Sequence, residues 1–179
     1  MSVKSAMAFG LTSGLEPGLV LLNTTSFSGV SSAALPTNTF TSSYTNYKIK
    51  VTGLFGSTSN DITLRLRKAG VDNSTASSYV RTGFFASTST LGNSTGTSSD
   101  WYATTLNSSS TVASFLEIDL FLPFVSNTTG FIVQTFRAGG DSTNIGYGRH
   151  TVVDSFDSLN MIISTGTFSG TYSVYGFNI

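Results

Sequence analysis

Short stretches of this chain alternate apolar and polar residues with a period of two, a pattern that predicts β-strands with one buried face. The clearest, VASFLEIDLFLPF (112–124), carries Glu117 and Asp119 on the face opposite its leucines and isoleucine. Two further stretches, NYKIKVTGLF (46–55) and DITLRLRK (61–68), alternate in the same way. We therefore predict three strands that turn Leu, Ile and Val to the core and their charged residues outward.

The remaining apolar runs are short and lie between clusters of Gly, Asn, Ser and Thr, with a spacing of roughly 8 to 12 residues. They predict further strands at 19–25, 30–35, 80–86, 101–106, 131–136, 145–153, 159–164 and 172–177. No long stretch has the helical period. The pattern indicates an all-β fold, an antiparallel jelly-roll-like β-sandwich with loops at its ends.

The chain divides into an arm and one domain. Residues 1–17 lack the alternation and contain Gly10, Gly14 and Pro17, so they are predicted to form an extended N-terminal arm. Residues 18–179 are predicted to form a single β-sandwich domain. Within it, residues 70–78 and 86–100 are rich in Ser, Thr, Asn and Gly and are predicted to be exposed loops.

The outward charges predict cross-strand ion pairs. Lys48 and Lys50 lie on one predicted strand and Arg65 and Arg67 on another, and we expect these two strands to be near neighbours. Glu117 and Asp119 stand outward on a third strand. Pairing between these sets would offset the repulsion of like charges on adjacent strands.

Composition and charge exclude several classes of partner. Only 10% of the residues are charged, and nine basic residues balance nine acidic ones, with no basic run of the kind that binds nucleic acid. No apolar run approaches the length of about 18 residues that membrane insertion requires, and residues 1–18 do not read as a signal peptide. The absence of Cys excludes disulfides and thiolate metal sites. A net charge of zero favours association with a permanent partner.

Three groups of residues could have a chemical function, but for each of them a structural role is preferred. His150 with Asp154 and Asp157 resembles parts of a Ser/His/Asp triad, but no nucleophile elbow accompanies it. Glu117 and Asp119 have a spacing that two glycosidase carboxylates could share. The turn at 139–144, GGDSTN, offers oxygen ligands but few carboxylates for a cation. We predict no catalytic residue, no cofactor and no metal.

The last predicted strand is apolar on both faces. Tyr172 and Val174 point one way, and Tyr175 and Phe177 point the other. Such a strand is expected to be covered twice, by the second sheet and by an edge loop or a second subunit. Most other aromatic residues are expected in the core, although Trp101 and Tyr102 are also candidates for a platform on which a sugar stacks.

Two stretches, GLVLLNTTSFSGVSSAALPTNTFTSSYTNYKI (18–49) and FDSLNMIISTGTFSGTYSVYGFN (156–178), resemble a Ser/Thr-rich β module of virion proteins from tailed bacteriophages, especially those of marine hosts. The residues between them resemble the module only in composition and in the spacing of predicted strands and turns. The resemblance implies a non-enzymatic virion component on the particle exterior, a jelly-roll-like homotrimer that serves as capsid decoration or as a fibre knob. It brings no catalytic residues. The short segment ahead of the module departs from the pattern of long fibres.

The leading hypothesis is a homotrimeric decoration or cement protein of the capsid, whose partners are its own copies and the major capsid protein or other virion proteins. Residues expected at the attachment and subunit interfaces are Met7, Phe9, Leu11, Leu15, Leu19, Tyr175 and Phe177. The alternative is a receptor-binding tail-fibre or knob protein that binds a host surface glycan through loops 87–100 and 107–111. Its expected glycan contacts are Trp101, Tyr102, Asn93 and Asn107. A glycan-degrading enzyme, the third hypothesis, needs Glu117 and Asp119 in a cleft.

Overall fold

The structure is a computed structural model that describes residues 18–108, 111, 113–137 and 142–178. These residues form β-strands and no helix, as the alternation predicts. The strands are β1 (Val20–Val30), β2 (Ser32–Ala34), β3 (Asn46–Gly56), β4 (Asp61–Lys68), β5 (Val71–Asp72), β6 (Tyr79–Ala86), β7 (Leu91–Ser98), β8 (Trp101–Thr105), β9 (Ser114–Phe121), β10 (Asn127–Arg137), β11 (Ser142–Asp154), β12 (Ser158–Ile163) and β13 (Phe168–Phe177). The predicted N-terminal arm, 1–17, lies outside the described residues.

Two antiparallel sheets pack face to face, so the predicted β-sandwich is confirmed. The larger sheet has eight strands in the order β1-β13-β3-β9-β10-β11-β6-β7. In the smaller sheet, β2, β12 and β4 are neighbours, and β5 and β8 both pair with the other edge of β4. The chain crosses repeatedly between the sheets, and β13 lies between β1 and β3.

The core fills the space between the sheets with the inward positions of the alternating stretches. Ile49 of β3, Ile118 of β9 and Val133 of β10 come from the larger sheet, and Leu64 and Leu66 of β4 come from the smaller one. All five side chains are completely buried. Burial of each contributes on the order of 1.5–3 kcal/mol, which makes the core the main source of stability in a chain without disulfides.

The charged strands are arranged differently from the prediction. β3, with Lys48 and Lys50, belongs to the larger sheet, whereas β4, with Arg65 and Arg67, belongs to the smaller one. The expectation that they are near neighbours is therefore wrong. Consecutive strands of a sandwich often exchange sheets, and the alternation of a single strand does not indicate to which sheet it belongs.

The segment 86–100 was predicted to be a loop, but it contains β7, an edge strand of the larger sheet. β7 pairs antiparallel with β6 from Tyr79↔Ser98 to Ala86↔Leu91. Its side chains are mostly exposed on both faces, so nothing enforces an apolar alternation there. In the other predicted loop, 70–78, β5 forms a tight hairpin with β4 through Ala69 and Gly70, which have φ values of 50° and 81°.

Candidate functional site

A cleft of about 510 Å³ lies between the two sheets at one side of the core. β8 of the smaller sheet contributes Tyr102, Thr104 and Thr105, while β6 of the larger sheet contributes Arg81 and Phe85. Further lining residues come from β10 and β11, among them Thr135, Arg137, Thr143 and Asn144. We call this space the inter-sheet cleft. Its volume is in the range that small-molecule sites occupy.

Arg81 and Tyr102 form a stacked pair in the inter-sheet cleft. The guanidinium carbon of Arg81 lies 5.0 Å from the centre of the Tyr102 ring, a distance typical of a cation–π contact. Within the described residues, the side chain of Arg81 makes no ion pair and no hydrogen bond. Its cationic group therefore faces the cleft with its hydrogen-bond donors unused.

At one wall of the inter-sheet cleft, a chain of hydrogen bonds determines which hydroxyl groups donate and which accept. Thr105 Oγ1 donates to Asp61 Oδ1 at 2.6 Å, and Tyr102 Oη lies 3.0 Å from Thr105 Oγ1. Because Thr105 has only one hydroxyl proton, the Tyr102 hydroxyl must be the donor to Thr105. Burial is the main cause that raises the pKa of Tyr102, so the phenol stays neutral.

One hydrogen bond joins the two sheets across the inter-sheet cleft. The Asn144 side-chain amide of β11 donates to the backbone carbonyl of Ala103 in β8 at 3.2 Å. On the side of β10, an Arg137 guanidinium nitrogen donates to Ser59 Oγ at 3.3 Å. These bonds hold the walls together, and the remaining hydroxyls of Thr104 and Thr135 line the space between them.

Of the four predicted glycan contacts, only Tyr102 lines the inter-sheet cleft. Asn93 is exposed on β7 and pairs with Phe84, whose side chain lies on the opposite, outer face of the larger sheet. Asn107 is partly buried, and its carbonyl accepts a hydrogen bond from the Gly56 amide. The structure thus does not bring the four residues together.

The prediction that Trp101 forms a stacking platform is wrong, because its side chain is completely buried. Its ring stacks on Phe131 with the centroids 4.1 Å apart and meets the Tyr79 ring edge-on at 5.0 Å. A large aromatic residue at an inward strand position contributes more when it fills the core than when it is exposed. Trp101 therefore connects β8 to β10 and β6 from within.

His150 belongs to a buried polar cluster and not to a catalytic triad. Its Nε2 lies 3.0 Å from Ser78 Oγ and 3.3 Å from Asn73 Oδ1. Ser78 Oγ donates its own proton to the Thr75 carbonyl at 2.7 Å, so Nε2 must carry a hydrogen and donate to Ser78. A general base needs the opposite arrangement, in which the imidazole accepts the serine proton.

The two aspartates that the sequence places near His150 have other partners. Asp154 accepts from Lys68 Nζ at 2.6 Å, and Asp157 accepts from the Ala69 amide at 2.7 Å. The imidazole instead packs against rings, with centroids 4.4 Å from Tyr79 and 5.0 Å from Phe156. Burial is the main cause that lowers the pKa of His150, so the neutral ring is the native form.

Glu117 and Asp119 lie on the outer face of the larger sheet, away from the inter-sheet cleft. Both carboxylates contact Lys48 Nζ, at 2.9 Å in the case of Asp119. Lys50 approaches Glu117 at 3.5 Å. The hydrogen bond from Lys48 is the main cause that lowers the pKa of Glu117, so this residue is not a proton donor near neutral pH. The four residues form what we call the ionic cluster.

Metal coordination finds no support in the described part of the chain, where no group of three or more His, Cys, Asp or Glu side chains is placed to hold an ion. The predicted oxygen-rich turn at 139–144 falls half outside the described residues, since 139–141 are not described and 142–144 belong to β11.

The outer face of the larger sheet also carries a contiguous set of exposed apolar side chains, which sequence analysis did not identify. They belong to the neighbouring strands β6, β11, β10 and β9 and are Phe84, Ile145, Tyr147, Phe136 and Phe115, with exposed fractions from 40% to 52%. The Phe115 and Phe136 rings stack with centroids 5.5 Å apart. We call this set the outer apolar patch. The available sequence signal was the apolar residues at outward positions of these strands.

The predicted attachment residues fall into two groups. Met7, Phe9, Leu11 and Leu15 lie outside the described residues. Leu19 is 48% exposed just before the edge strand β1, and Leu21 and Leu22 beside it are exposed as well. Leu21 pairs with Tyr175 of β13, so the beginning of β1 and the outward face of β13 form a second apolar area. Tyr175 and Phe177 are partly buried within this single chain.

In comparisons with known proteins, no family model matches this sequence and no curated protein shows significant similarity to it. Across the ranges that the structure describes, no helix has the length and apolar character needed to cross a membrane.

Proposed function

We propose that this protein is a non-enzymatic structural component of a bacteriophage virion, a homotrimer on the particle exterior that decorates the capsid. The outer apolar patch is the observation that carries this proposal. A contiguous set of five large apolar side chains on a rigid sheet is typical of a surface that another protein covers. The virion location and the trimeric state rest on the resemblance of 18–49 and 156–178 to the phage module.

Self-association accounts for the separate positions of the ionic cluster and the outer apolar patch on the outer face of the larger sheet. The ionic cluster is neutralised within one chain, so it does not repel a second copy that lies over the adjacent outer apolar patch. The exposed leucines at the beginning of β1 are placed where the preceding arm leaves the domain, which suits a contact with the capsid shell. Symmetric copies would bury the same patch on each subunit.

The proposal is tested by measuring the copy number of this protein in purified particles of the phage that encodes it. Quantitative mass spectrometry of emptied heads and of detached tails should find the protein with the heads, at a ratio to the major capsid protein near that of a regular decoration. Its absence from particles would refute the proposal.

A second candidate function, binding of a host surface glycan, is favoured by one observation, the inter-sheet cleft. The cleft combines unused donors of Arg81 with hydroxyls and the aromatic rings of Phe85 and Tyr102. If this function is the main one, the protein should purify with tails at a few copies per particle. The free protein should then block adsorption of the phage to its host.

A further inference from the structure

We propose that the inter-sheet cleft binds a saccharide that bears a carboxylate, with Arg81 as the residue that recognises the carboxylate. This inference names the ligand class for the second candidate function and rests on it. The structural role stands or falls separately, because it depends on the outer apolar patch on the other face of the sheet.

The first argument is that Arg81, unlike most cations of the described strands, has no carboxylate partner. Five other cations of the described strands, Lys48, Lys50, Arg65, Arg67 and Lys68, each lie within 4 Å of a carboxylate. Arg81 is partly buried like most of them, yet it has no such partner in the described part of the chain. A guanidinium with free donors at a cleft wall matches the planar geometry of a carboxylate, which it can bind with two parallel hydrogen bonds.

The second argument is the net charge of the inter-sheet cleft. Arg137 also lines it, and within the described ranges its guanidinium has no carboxylate partner and donates to a neutral hydroxyl, that of Ser59. Among the described residues that line the cleft, the one carboxylate is that of Asp61, which accepts the proton of Thr105 and makes no ion pair with either arginine. Two cations against one anion favour a ligand with a negative charge. The remaining oxygen of Asp61 is available to accept from a ligand hydroxyl.

The third argument concerns the rest of the ligand. Hydroxyls of Ser94, Thr104 and Thr135 line the inter-sheet cleft and can donate to and accept from a polyol. Phe85 is 40% exposed although it lies on the inward face of β6, so its ring presents an apolar surface to the cleft. Sugars need both kinds of contact, because their hydroxyls bind polar groups and their C–H faces pack on rings.

The size of the inter-sheet cleft sets the length of the ligand. A volume of about 510 Å³ is too small for a long chain and suits roughly one or two sugar rings, such as the acidic end of a surface polysaccharide. The backbone donors of β6, β10 and β11 are used in sheet pairing. A phosphate, which is commonly held by free backbone amides, is therefore a poorer fit.

The proposal is tested by NMR titration of the ¹⁵N-labelled chain with matched methyl glycosides. The probes are the methyl glycosides of glucuronic, galacturonic and mannuronic acid, their neutral hexose counterparts, and inorganic phosphate. At least one uronide should shift the amide signals of residues 81–85, 102–105 and 142–146. Its neutral counterpart should bind at least about tenfold more weakly, the loss of one charge-assisted contact. Failure of all three uronides to bind would refute the proposal, as would equal binding of a neutral partner or of phosphate.

Two matched variants locate the site. Arg81→Gln should weaken uronide binding by at least about tenfold, while Arg149→Gln should leave it unchanged, because Arg149 is exposed on β11 and pairs with outward positions of the same sheet. Arg137→Gln provides a second cleft variant if Arg81→Gln does not fold, and it should also weaken binding. Equal effects of the cleft variants and Arg149→Gln would place the carboxylate elsewhere and overturn the assignment.

Discussion

His150 illustrates how single residues tune this fold. The imidazole is completely buried between Tyr79 and Phe156, and its Nε2 hydrogen is directed at Ser78 and Asn73. Protonation of the other ring nitrogen would place a charge among aromatic rings, which is costly. The negative charge of Asp154 acts in the opposite direction, but burial outweighs it and the pKa of His150 is lowered.

We predict that acidification destabilises the fold through His150. Because the folded-state pKa is lowered from 6.5, the stabilisation is fully present above about pH 6.5 and is lost as the pH falls through the folded value. The slope should approach about 1.4 kcal/mol per pH unit between the unfolded pKa of 6.5 and the lowered folded pKa, and it should vanish below the folded value, where both states bind the proton. Urea denaturation between pH 7.5 and 5 measures it.

In His150→Gln this component should disappear, so the variant should be less stable than the wild type at pH 7.5 but depend less on pH between 7.5 and 5. Glu117, whose lowered pKa acts only below about pH 4.5, does not interfere in this range. Parallel pH profiles of the two proteins would contradict the assignment.

On the outer face, Lys48 is a second titratable residue whose surroundings shift its pKa. Its side chain is 17% exposed and contacts both Glu117 and Asp119. Burial alone would lower the pKa of Lys48, but the hydrogen bonds of the two carboxylates outweigh it and the pKa is raised.

We predict that Lys48→Met costs about 2–4 kcal/mol at pH 7, because it leaves two adjacent, partly buried carboxylates without their shared cation. Lys50→Met, which removes a more exposed cation, should cost less than about 1 kcal/mol. Denaturant midpoints of the two variants provide the comparison. As the pH falls toward 3 and Glu117, whose pKa is lowered by Lys48, begins to bind a proton, the difference between the two variants should shrink. Persistence of the full difference would point to lost packing instead.

At the scale of elements, the contact between β6 and β11 is unusually close. Gly148 of β11 pairs with Arg81, and a Cβ atom at this position would collide with the Val80 carbonyl oxygen and lie 2.7 Å from a ring carbon of Phe131. A glycine in a strand interior often marks such an approach of backbone.

We predict that Gly148→Ala destabilises the domain by at least about 2 kcal/mol, since neither the Val80 backbone nor the buried ring can move freely. Gly96→Ala, on the edge strand β7 with open space around its added methyl group, should change stability by less than roughly 0.5 kcal/mol. Thermal unfolding followed by circular dichroism measures both. Equal melting temperatures of the two variants would contradict the close packing of β6 against β11.

The elements that the sequence predicted are those with one buried face. The stretches 46–55, 61–68 and 112–124 were predicted as strands because burial on one side enforces the alternation, and they are β3, β4 and β9. β7 escaped prediction because its Ser, Thr and Gly residues are mostly exposed on both sides, and its pairing with β6 depends mainly on backbone hydrogen bonds.

The candidate site could not be predicted from local sequence patterns, for a different reason. The inter-sheet cleft joins Arg81, Tyr102 and Asn144, which come from three strands in two sheets, and only the order of the strands brings them together. The aromatic content indicated that rings would matter, but not that Trp101 would be buried while Tyr102, its neighbour, lines a cleft. Adjacent positions of a strand face opposite ways, and the sequence does not label the faces.

At the scale of the whole molecule, the two faces of the larger sheet carry different structural features. Its inner face forms the core and one wall of the inter-sheet cleft, and its outer face carries the ionic cluster and the outer apolar patch. Near β1 the outer face instead presents hydroxyl pairs across strands, Thr24 with Ser173 and Ser26 with Thr171. The outer apolar patch therefore lies on the same face as the second apolar area at the beginning of β1, with polar and charged positions between them.

We predict that the protein sediments as a trimer and that the double variant Phe84→Ser with Phe115→Ser sediments as a monomer, because it removes two large side chains of the outer apolar patch. Val71→Ser removes a 70% exposed apolar residue on the smaller sheet and should leave the trimer intact. Sedimentation velocity at several concentrations distinguishes the species. A monomeric wild type at all of them would contradict the proposed assembly.

The position of β13 between β1 and β3 has a consequence for biosynthesis. The ribosome releases β1 and β3 early, yet β1 has no partner strand and β3 has only β9 until Phe168–Phe177 has been translated. The larger sheet cannot form completely before β13 has been translated, so a product truncated ahead of it leaves β1 unpaired and one border of β3 unsatisfied. A chain that stops before Phe168 therefore lacks the strand through which β1 joins the rest of the larger sheet.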